Sequence, residues 1–322
     1  MTAMSLGEFE LIDRFFARPV RRAALGIGDD CALLAPAPGM QLAVSSDMLV
    51  EGRHFLSTVE PQRLGHKALA VNLSDLAACG ARPLAFTLAL AMPRAEPEFL
   101  AGFSSGLLAL ADAHGCELVG GDTTQGPLNI CITAFGEVPL EQALLRSGAC
   151  AGDDLYVSGT VGDARLALEV LRGRIALAGD AFEQVRRAME LPAPRVAFGQ
   201  ALRGVATSAI DISDGLLGDL AHILRRSRVG ARVEVDAVPR SAVLRGQTPH
   251  WQRVCTLSGG DDYELLFTAA PARAGRVAEA GAACDVAVTR IGSIEAAAGL
   301  RLVDAAGTAI ADTYAAFDHF RT

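Results

Sequence analysis

Leu25-Gly26-Ile27-Gly28-Asp29-Asp30-Cys31-Ala32 sets two glycines and two carboxylates directly behind a short apolar run. Glycine lets a backbone turn where a side chain would clash. Adjacent aspartates repel each other unless they are solvated, paired with arginine or bound to a cation. Taken alone, Gly-Asp-Asp is also an ordinary surface turn. The chain, however, repeats the theme. An apolar run, then small residues, then Asp recurs at Val44-Ser45-Ser46-Asp47, Val119-Gly120-Gly121-Asp122, Ile210-Asp211-Ile212-Ser213-Asp214 and Leu257-Ser258-Gly259-Gly260-Asp261-Asp262. Asp75 adds a further carboxylate in Asn72-Leu73-Ser74-Asp75. Together these read as strands whose loop ends converge on bound divalent metal.

Working outward, residues 5–18 carry apolar positions at helical spacing, with Ser5 as N-cap and Glu8 completing a capping box. Strands are expected at 23–27 and 41–46, joined by a hairpin-type turn over 35–39. A helix is expected over 61–80, from Pro61 to Gly80. Pro83 to Met92 reads as a central apolar strand, and Glu96 to His114 as an amphipathic helix stopped by Gly115. A strand from Cys116 should stop at Gly121, before Asp122, and another should run from Leu128 to Val138. Residues 139–152 look like a domain boundary. Beyond them strands are expected at 154–158, 208–212, 232–238, 263–268, 286–294 and 300–303. The helices expected among these reach Arg172 after Gly159 and cover 180–190, 195–203, a stretch starting at Ser213-Asp214-Gly215, and 271–281. Both halves place an Asp-bearing loop after a strand and before a helix, a loose echo. The expected class is α/β (α+β) in two domains, 1–140 and 141–322.

At 322 residues and 51% hydrophobic, the chain can bury two cores of ordinary size, filled by aliphatic side chains because aromatics make up only 5%. No apolar run approaches the roughly 18–20 residues of a membrane span. The first residues lack the basic-then-apolar pattern of a signal peptide, so a cytoplasmic location is the expectation. Seven cysteines without a Cys-x-x-Cys pair indicate neither a disulfide framework nor a zinc site. A net charge of −8 argues against a nucleic-acid partner. Lys67 is the sole lysine, so the familiar Gly-x-x-x-x-Gly-Lys phosphate loop is excluded.

The carboxylates Asp30, Asp47, Asp75, Asp122, Asp211 and Asp214 form one candidate set. Mg²⁺ prefers oxygen ligands, commonly one or two carboxylates completed by phosphate oxygens and water. Metal-bridged triphosphate oxygens would suit phosphoryl transfer. For each aspartate singly, a turn or helix cap stays open as the alternative, Asp214 as an N-cap in particular. Gly120-Gly121 either lets backbone N–H groups approach a phosphate or makes a tight turn. Arg146 either contacts a nucleotide phosphate or is solvated. His54 either meets the phosphate of a second substrate or is structural. No metal-spaced histidine pair is present.

These segments resemble the thiamine-monophosphate kinase family. The likeness rests on Gly26–Ala32, Ser45–Phe55, Asn72–Ala81, Gly120–Thr124, Arg146–Gly148, Asp211–Leu216, Ser258–Phe267 and Phe317–Phe320, eight motifs in family order across nearly the whole chain. The resemblance implies an aminoimidazole-ribonucleotide-synthetase type of fold, in which an N-terminal α/β domain contributes strands to a β-barrel across a homodimer and a C-terminal α/β domain follows. It implies ATP-dependent phosphorylation of thiamine monophosphate to thiamine diphosphate by direct in-line transfer. Carried over by position, Asp30, Ser45, Ser46, Asp47, Asp75, Asp122, Asp211 and Asp214 would hold several Mg²⁺ ions. Gly121, Asp122, Arg146 and Ser213 would contact ATP, and His54, Asp261 and Phe317 would contact thiamine monophosphate. Asp261 stands where the family usually has Glu, one methylene longer. The alternatives are another ATP-using member of the superfamily with a different acceptor, or a non-catalytic nucleotide-binding regulator.

Overall fold

The computed structural model describes residues 7–28, 30–311 and 313–314. It divides into two compact units, one comprising residues 1–76 and 81–141, the other 77–80 and 142–322.

The first unit is a four-stranded sheet with helices. Its elements are α1 (Glu8–Phe15), β1 (Met40–Val50), α2 (Pro61–Ala78), β2 (Arg82–Met92), α3 (Pro97–His114), β3 (Glu117–Gln125) and β4 (Asn129–Pro139), with strand order β1-β4-β2-β3. β2, α3 and β3 form a parallel crossover, while β4 returns antiparallel between β1 and β2. Pro97 opens α3, where its missing N–H costs nothing, and Gly115 closes it in the left-handed region (φ 56°). Alternation decides the faces of the sheet. Phe86, Leu88, Leu90, Ile130, Ile132 and Ala134 are buried. Leu42, Val44 and Met48 of β1 point the other way and are exposed.

Several expectations are corrected here. Residues 23–27 make no strand: Leu25 forms an isolated antiparallel bridge with Leu33, and the Ala23 amide is taken by Glu117 instead of a neighbouring strand. The 35–39 turn therefore joins no hairpin, and β1 pairs with β4 instead. Helix α1 begins at Glu8, with Gly7 donating its N–H to Glu10 Oε2 at 3.0 Å; Ser5 lies outside the described residues. β3 does not stop at Gly121 but runs on through Asp122 to Gln125, hydrogen-bonded to β2.

The second unit holds β5 (Asp154–Ser158), α4 (Asp163–Leu171), α5 (Gly179–Glu190), α6 (Val196–Ala201), β6 (Ser208–Asp211), α7 (Leu216–Ser227), β7 (Gly230–Glu234), α8 (Ala242–Arg245), α9 (Pro249–Ser258), β8 (Leu265–Ala269), α10 (Ala274–Ala283), β9 (Val288–Glu295), β10 (Gly299–Val303) and β11 (Ala309–Ile310). Seven strands form one sheet in the order β11-β10-β7-β9-β5-β8-β6. The apolar face of α7 (Leu216, Leu217, Leu220, Ile223, Leu224) packs into a core with Leu155, Val157, Ile210, Val233, Leu266 and Ile291. β7 ends at Glu234, short of the expected 238, because Val235–Ala237 turn into a 3-10 helix. Among the described residues no helix is long and apolar enough to cross a membrane, and all seven cysteines are free.

Candidate active site

In the first unit Asp47, Asp75 and Asp122 sit on regular elements rather than at loop ends, while Asp30 lies on an irregular segment. Ser45 and Asp47 are two apart on β1 and face α2. Ser45 Oγ hydrogen-bonds Asp75 Oδ2, and the Asp47 amide donates to Asn72 Oδ1 at 3.1 Å. Asn72 and Asp75 are three apart, hence on one face of α2. Asn72 is 1% exposed and is itself held by donating to the Ala68 carbonyl at 3.0 Å. Ser45, Asp47, Asn72 and Asp75 thus form one oxygen-lined patch. Ser46 points to the opposite face, 3.1 Å from Thr133 Oγ1 and 3.7 Å from Cys131 Sγ.

Asp122 is not brought to that patch within the chain. Its row on the sheet runs Asp122–Ala89–Cys131–Met48, on the face opposite to Asp47, whose row runs Ile132–Leu88–Gly121. β1 and β3 are the two edges, three strand spacings or about 14 Å apart. Gly121 has a packing reason to be glycine: at φ 150°, a Cβ would lie 1.8 Å from the Leu88 carbonyl oxygen. Asp30 is exposed; Glu117 holds the backbone further upstream, at the amides of Arg21, Arg22 and Ala23. Burial opposes ionisation of Glu117, but the amides of Ala23, Arg22 and Arg21 and the charge of Arg22 hold its carboxyl below the usual range. Asp29 lies outside the described residues.

His54 follows β1 in a turn. Its Nδ1 accepts the Val50 N–H at 2.9 Å, so neutral His54 carries its proton on Nε2. Lys67, 2% exposed, reaches the His54 carbonyl with Nζ at 3.4 Å.

In the second unit the corresponding groups sit in loops that other side chains hold. Asp211 ends β6 and is 3% exposed. The next turn is gathered by Asp219, a residue the sequence reading missed. Its Oδ2 accepts the N–H groups of Ser213, Asp214 and Gly215, each at 3.1 Å. The N-cap of α7 is Gly215, not Asp214, which leaves the Asp214 carboxylate out of the capping role. Burial and the neighbouring Asp214 push Asp219 up to about 7 against those three amides. Arg146 is exposed, and its loop is fastened by Ser227, whose hydroxyl donates to the Arg146 carbonyl and accepts the Ala149 amide, both at 3.2 Å. His222 is lowered by burial, then by the charges of Arg146 and Arg225, and raised by Asp214.

The Ser258–Glu264 loop lies along this turn. The Asp261 amide donates to the Ser213 carbonyl and the Tyr263 amide to the Ile212 carbonyl, both at 2.9 Å. A Cβ on Gly260 would be 2.2 Å from the Ser213 oxygen, so the contact needs glycine. The structure therefore brings Asp261 to the Asp211–Asp214 turn. Asp262 points away and accepts the Gly162 N–H with both oxygens at 2.9 Å; burial and the carboxylates of Asp163, Glu264 and Asp261 push it well above the usual range. Phe317 lies outside the described residues. A signal for Asp219 was present, since an acid sits on the apolar face of α7 between Leu217 and Leu220. Asn72 had a weaker one, a polar residue one turn before Asp75.

Among the described residues no three His, Cys, Asp or Glu side chains could hold a metal ion by themselves. What is present fits Mg²⁺ nonetheless, because the donors are hard oxygens in ones and twos, and Mg²⁺ completes its shell with phosphate oxygens and water.

Comparison with known proteins agrees with this chemistry. Residues 28–138 match the AIR synthase related protein N-terminal domain, and residues 151–305 match the AIR synthase related protein C-terminal domain. A thiamine-monophosphate kinase of Salmonella typhimurium is 46% identical over 331 aligned residues, covering 99% of this chain and 100% of the relative. The crystal structure of thiamine-monophosphate kinase from Stenotrophomonas maltophilia K279a superposes with a TM-score of 0.86 at 46% identity, covering 93% of this chain and 97% of that one. The structure of AaThiL complexed with AMPPCP and TMP superposes with a TM-score of 0.77 at 30% identity, over 99% of this chain and 100% of that one. With the family domains matched in both units and a relative aligned from end to end, the chain belongs to the thiamine-monophosphate kinase family.

Proposed function

We propose that this chain transfers the γ-phosphoryl group of ATP to the phosphate of thiamine monophosphate, giving thiamine diphosphate. The observation that carries the reading is the end-to-end likeness to a solved relative complexed with AMPPCP and TMP. The activity is that of a cytoplasmic enzyme, with residues 1–140 serving ATP and metal binding and dimerisation and residues 141–322 forming the C-terminal domain.

Asp30, Ser45, Ser46, Asp47, Asp75, Asp122, Asp211 and Asp214 are assigned to several Mg²⁺ ions. Bound there, Mg²⁺ neutralises phosphate oxygens and the charge that develops on them during transfer. Gly121, Asp122, Arg146 and Ser213 are assigned to ATP: a guanidinium recognises phosphate by paired N–H donors, and a serine hydroxyl supplies another. His54 is assigned to the phosphate of thiamine monophosphate. Asp261 and Phe317 are assigned to the cationic ring of thiamine, for which a carboxylate and a flat aromatic face are both complementary. Nothing in these sets is needed as a general base, because the attacking phosphate oxygen is already anionic; positioning and electrostatics do the catalysis.

We also infer a homodimer. Laying the β3 edge of a second copy along β1 would close eight strands into a barrel, cover Leu42, Val44 and Met48, and remove both open edges. It would also bring the Asp122-bearing edge of the second copy beside Ser46 and Asp47.

The test is product analysis by mass spectrometry after incubation with ATP, Mg²⁺ and either thiamine monophosphate or thiamine. Thiamine diphosphate formed only from the monophosphate and only with Mg²⁺ is the expected result. Nucleotide binding without product would instead favour a different acceptor or a regulator.

A further inference from the structure

Tyr263 has no role so far, yet its hydroxyl donates to Asp261 Oδ1 at 2.9 Å and its side chain is 8% exposed. Asp261 and Tyr263 both have left-handed backbones, with φ 67° and 51°. That region is unfavourable for a residue with a Cβ, and most so for a bulky one such as tyrosine. Surrounding contacts hold it. The amides of Asp261 and Tyr263 are bonded to the carbonyls of Ser213 and Ile212, and Asp262 grips Gly162 with both oxygens. The Asp261 carboxylate receives a hydroxyl from a buried side chain two residues on. The αL backbone fixes where the Cα–Cβ bond of Asp261 points, and the Tyr263 hydroxyl fixes the rotation of the carboxylate about Cβ–Cγ.

We propose that Tyr263 is a positioning residue for substrate selection, holding the Asp261 carboxylate in the orientation that meets the cationic ring of thiamine monophosphate. This rests on the assignment of Asp261 to that substrate made above. A short aspartate with only two side-chain torsions is fully oriented by one such tether, whereas its own reach is small. The buried ring of Tyr263 adds packing that keeps the hydroxyl in place.

Steady-state kinetics of Tyr263→Phe, Asp261→Ala and the double variant test this, with thermal melting measured alongside. Tyr263→Phe removes one oxygen and keeps the ring. It should raise KM for thiamine monophosphate about tenfold, the size of one hydrogen bond to a charged group, and leave KM for ATP and the melting midpoint near their native values. In the Asp261→Ala background the same change should add nothing, because its effect passes through the lost carboxylate. Asp261→Asn, which keeps an acceptor for the hydroxyl but removes the charge, should also raise KM for thiamine monophosphate. Native KM values in both Asp261 variants would remove Asp261 from the substrate site, and the proposal with it. Defective Asp261 variants beside a native-like Tyr263→Phe, or an equal Tyr263→Phe effect in both backgrounds, would overturn the positioning role alone.

Discussion

The two units hold their carboxylates by opposite means. In the first, Ser45 and Asp47 take their direction from strand alternation and Asp75 from helical spacing on α2. Any sequence that forms these elements in this register places those oxygens. In the second, Ser213, Asp214 and Asp261 lie in irregular loops, and dedicated side chains hold the backbone: Asp219 beneath 213–215, Ser227 beneath Arg146, and Asp262 on Gly162. Function in the first unit therefore separates from stability. In the second the two are mixed, because what aims a carboxylate also stabilises the loop.

The sharpest break in that comparison is Asp47→Ala or Asp122→Ala. Turnover should fall by about 1,000-fold or more, as expected when a metal ligand of a phosphoryl-transfer site is lost. The melting midpoint should move by no more than about 2 °C, since both strands are held by their backbone ladders. Near-normal activity in either variant would refute its metal assignment.

Next in size is Glu169→Ala. Glu169 is fully buried and holds Arg165, Arg172 and Arg174 at 2.7, 3.1 and 3.2 Å, and Arg165 packs against Gly259 at the start of the Asp261 loop. Removing one side of a buried ionic cluster costs about 3 kcal/mol, readable by urea denaturation. The same variant should weaken use of thiamine monophosphate. Asp219→Ala should follow at about 2 kcal/mol, for three amides left without their acceptor, with a raised Mg²⁺ requirement. Loss of stability without that change in Mg²⁺ dependence would reduce Asp219 to scaffolding.

The smallest effect is with pH. Burial resists ionisation of Glu117, Glu137 and Glu169, but amides or arginines outweigh it and leave each depressed. A carboxyl lowered by folding adds stability above its unfolded value, about 4.3, and that stability is lost as pH falls through the lower folded value. Asp219 and Asp262 work the other way: raised by folding, they bind protons more readily in the folded state, so melting should rise as pH falls from 7 to about 5 and decline below about 4 as the depressed carboxyls protonate. Glu117→Gln should make the acid decline shallower.

How much of this was legible follows from the same contrast. Regular periodicity announced β2, α2 and α3 nearly to the residue, since each is long and bounded by Pro or Gly. The aspartates were visible as a recurring motif, but their setting was misread. Asp47 and Asp122 were expected at loop ends because small residues precede them, whereas cross-strand pairing carries both strands onward. Asp219, Tyr263 and Asn72 escaped because their roles depend on contacts with loops or strands that local sequence does not describe. Ile212, Ser213 and Gly260 meet only because two loops distant in sequence are laid together.

The most direct measurement is the number of Mn²⁺ ions, substituting for Mg²⁺, held per chain in the presence of AMPPCP, counted by electron paramagnetic resonance for the native protein, Asp47→Ala and Asp214→Ala. The account predicts more than one ion in the native protein and fewer in each variant, one from each unit. A single ion in the native protein, or an unchanged number in both variants, would contradict it.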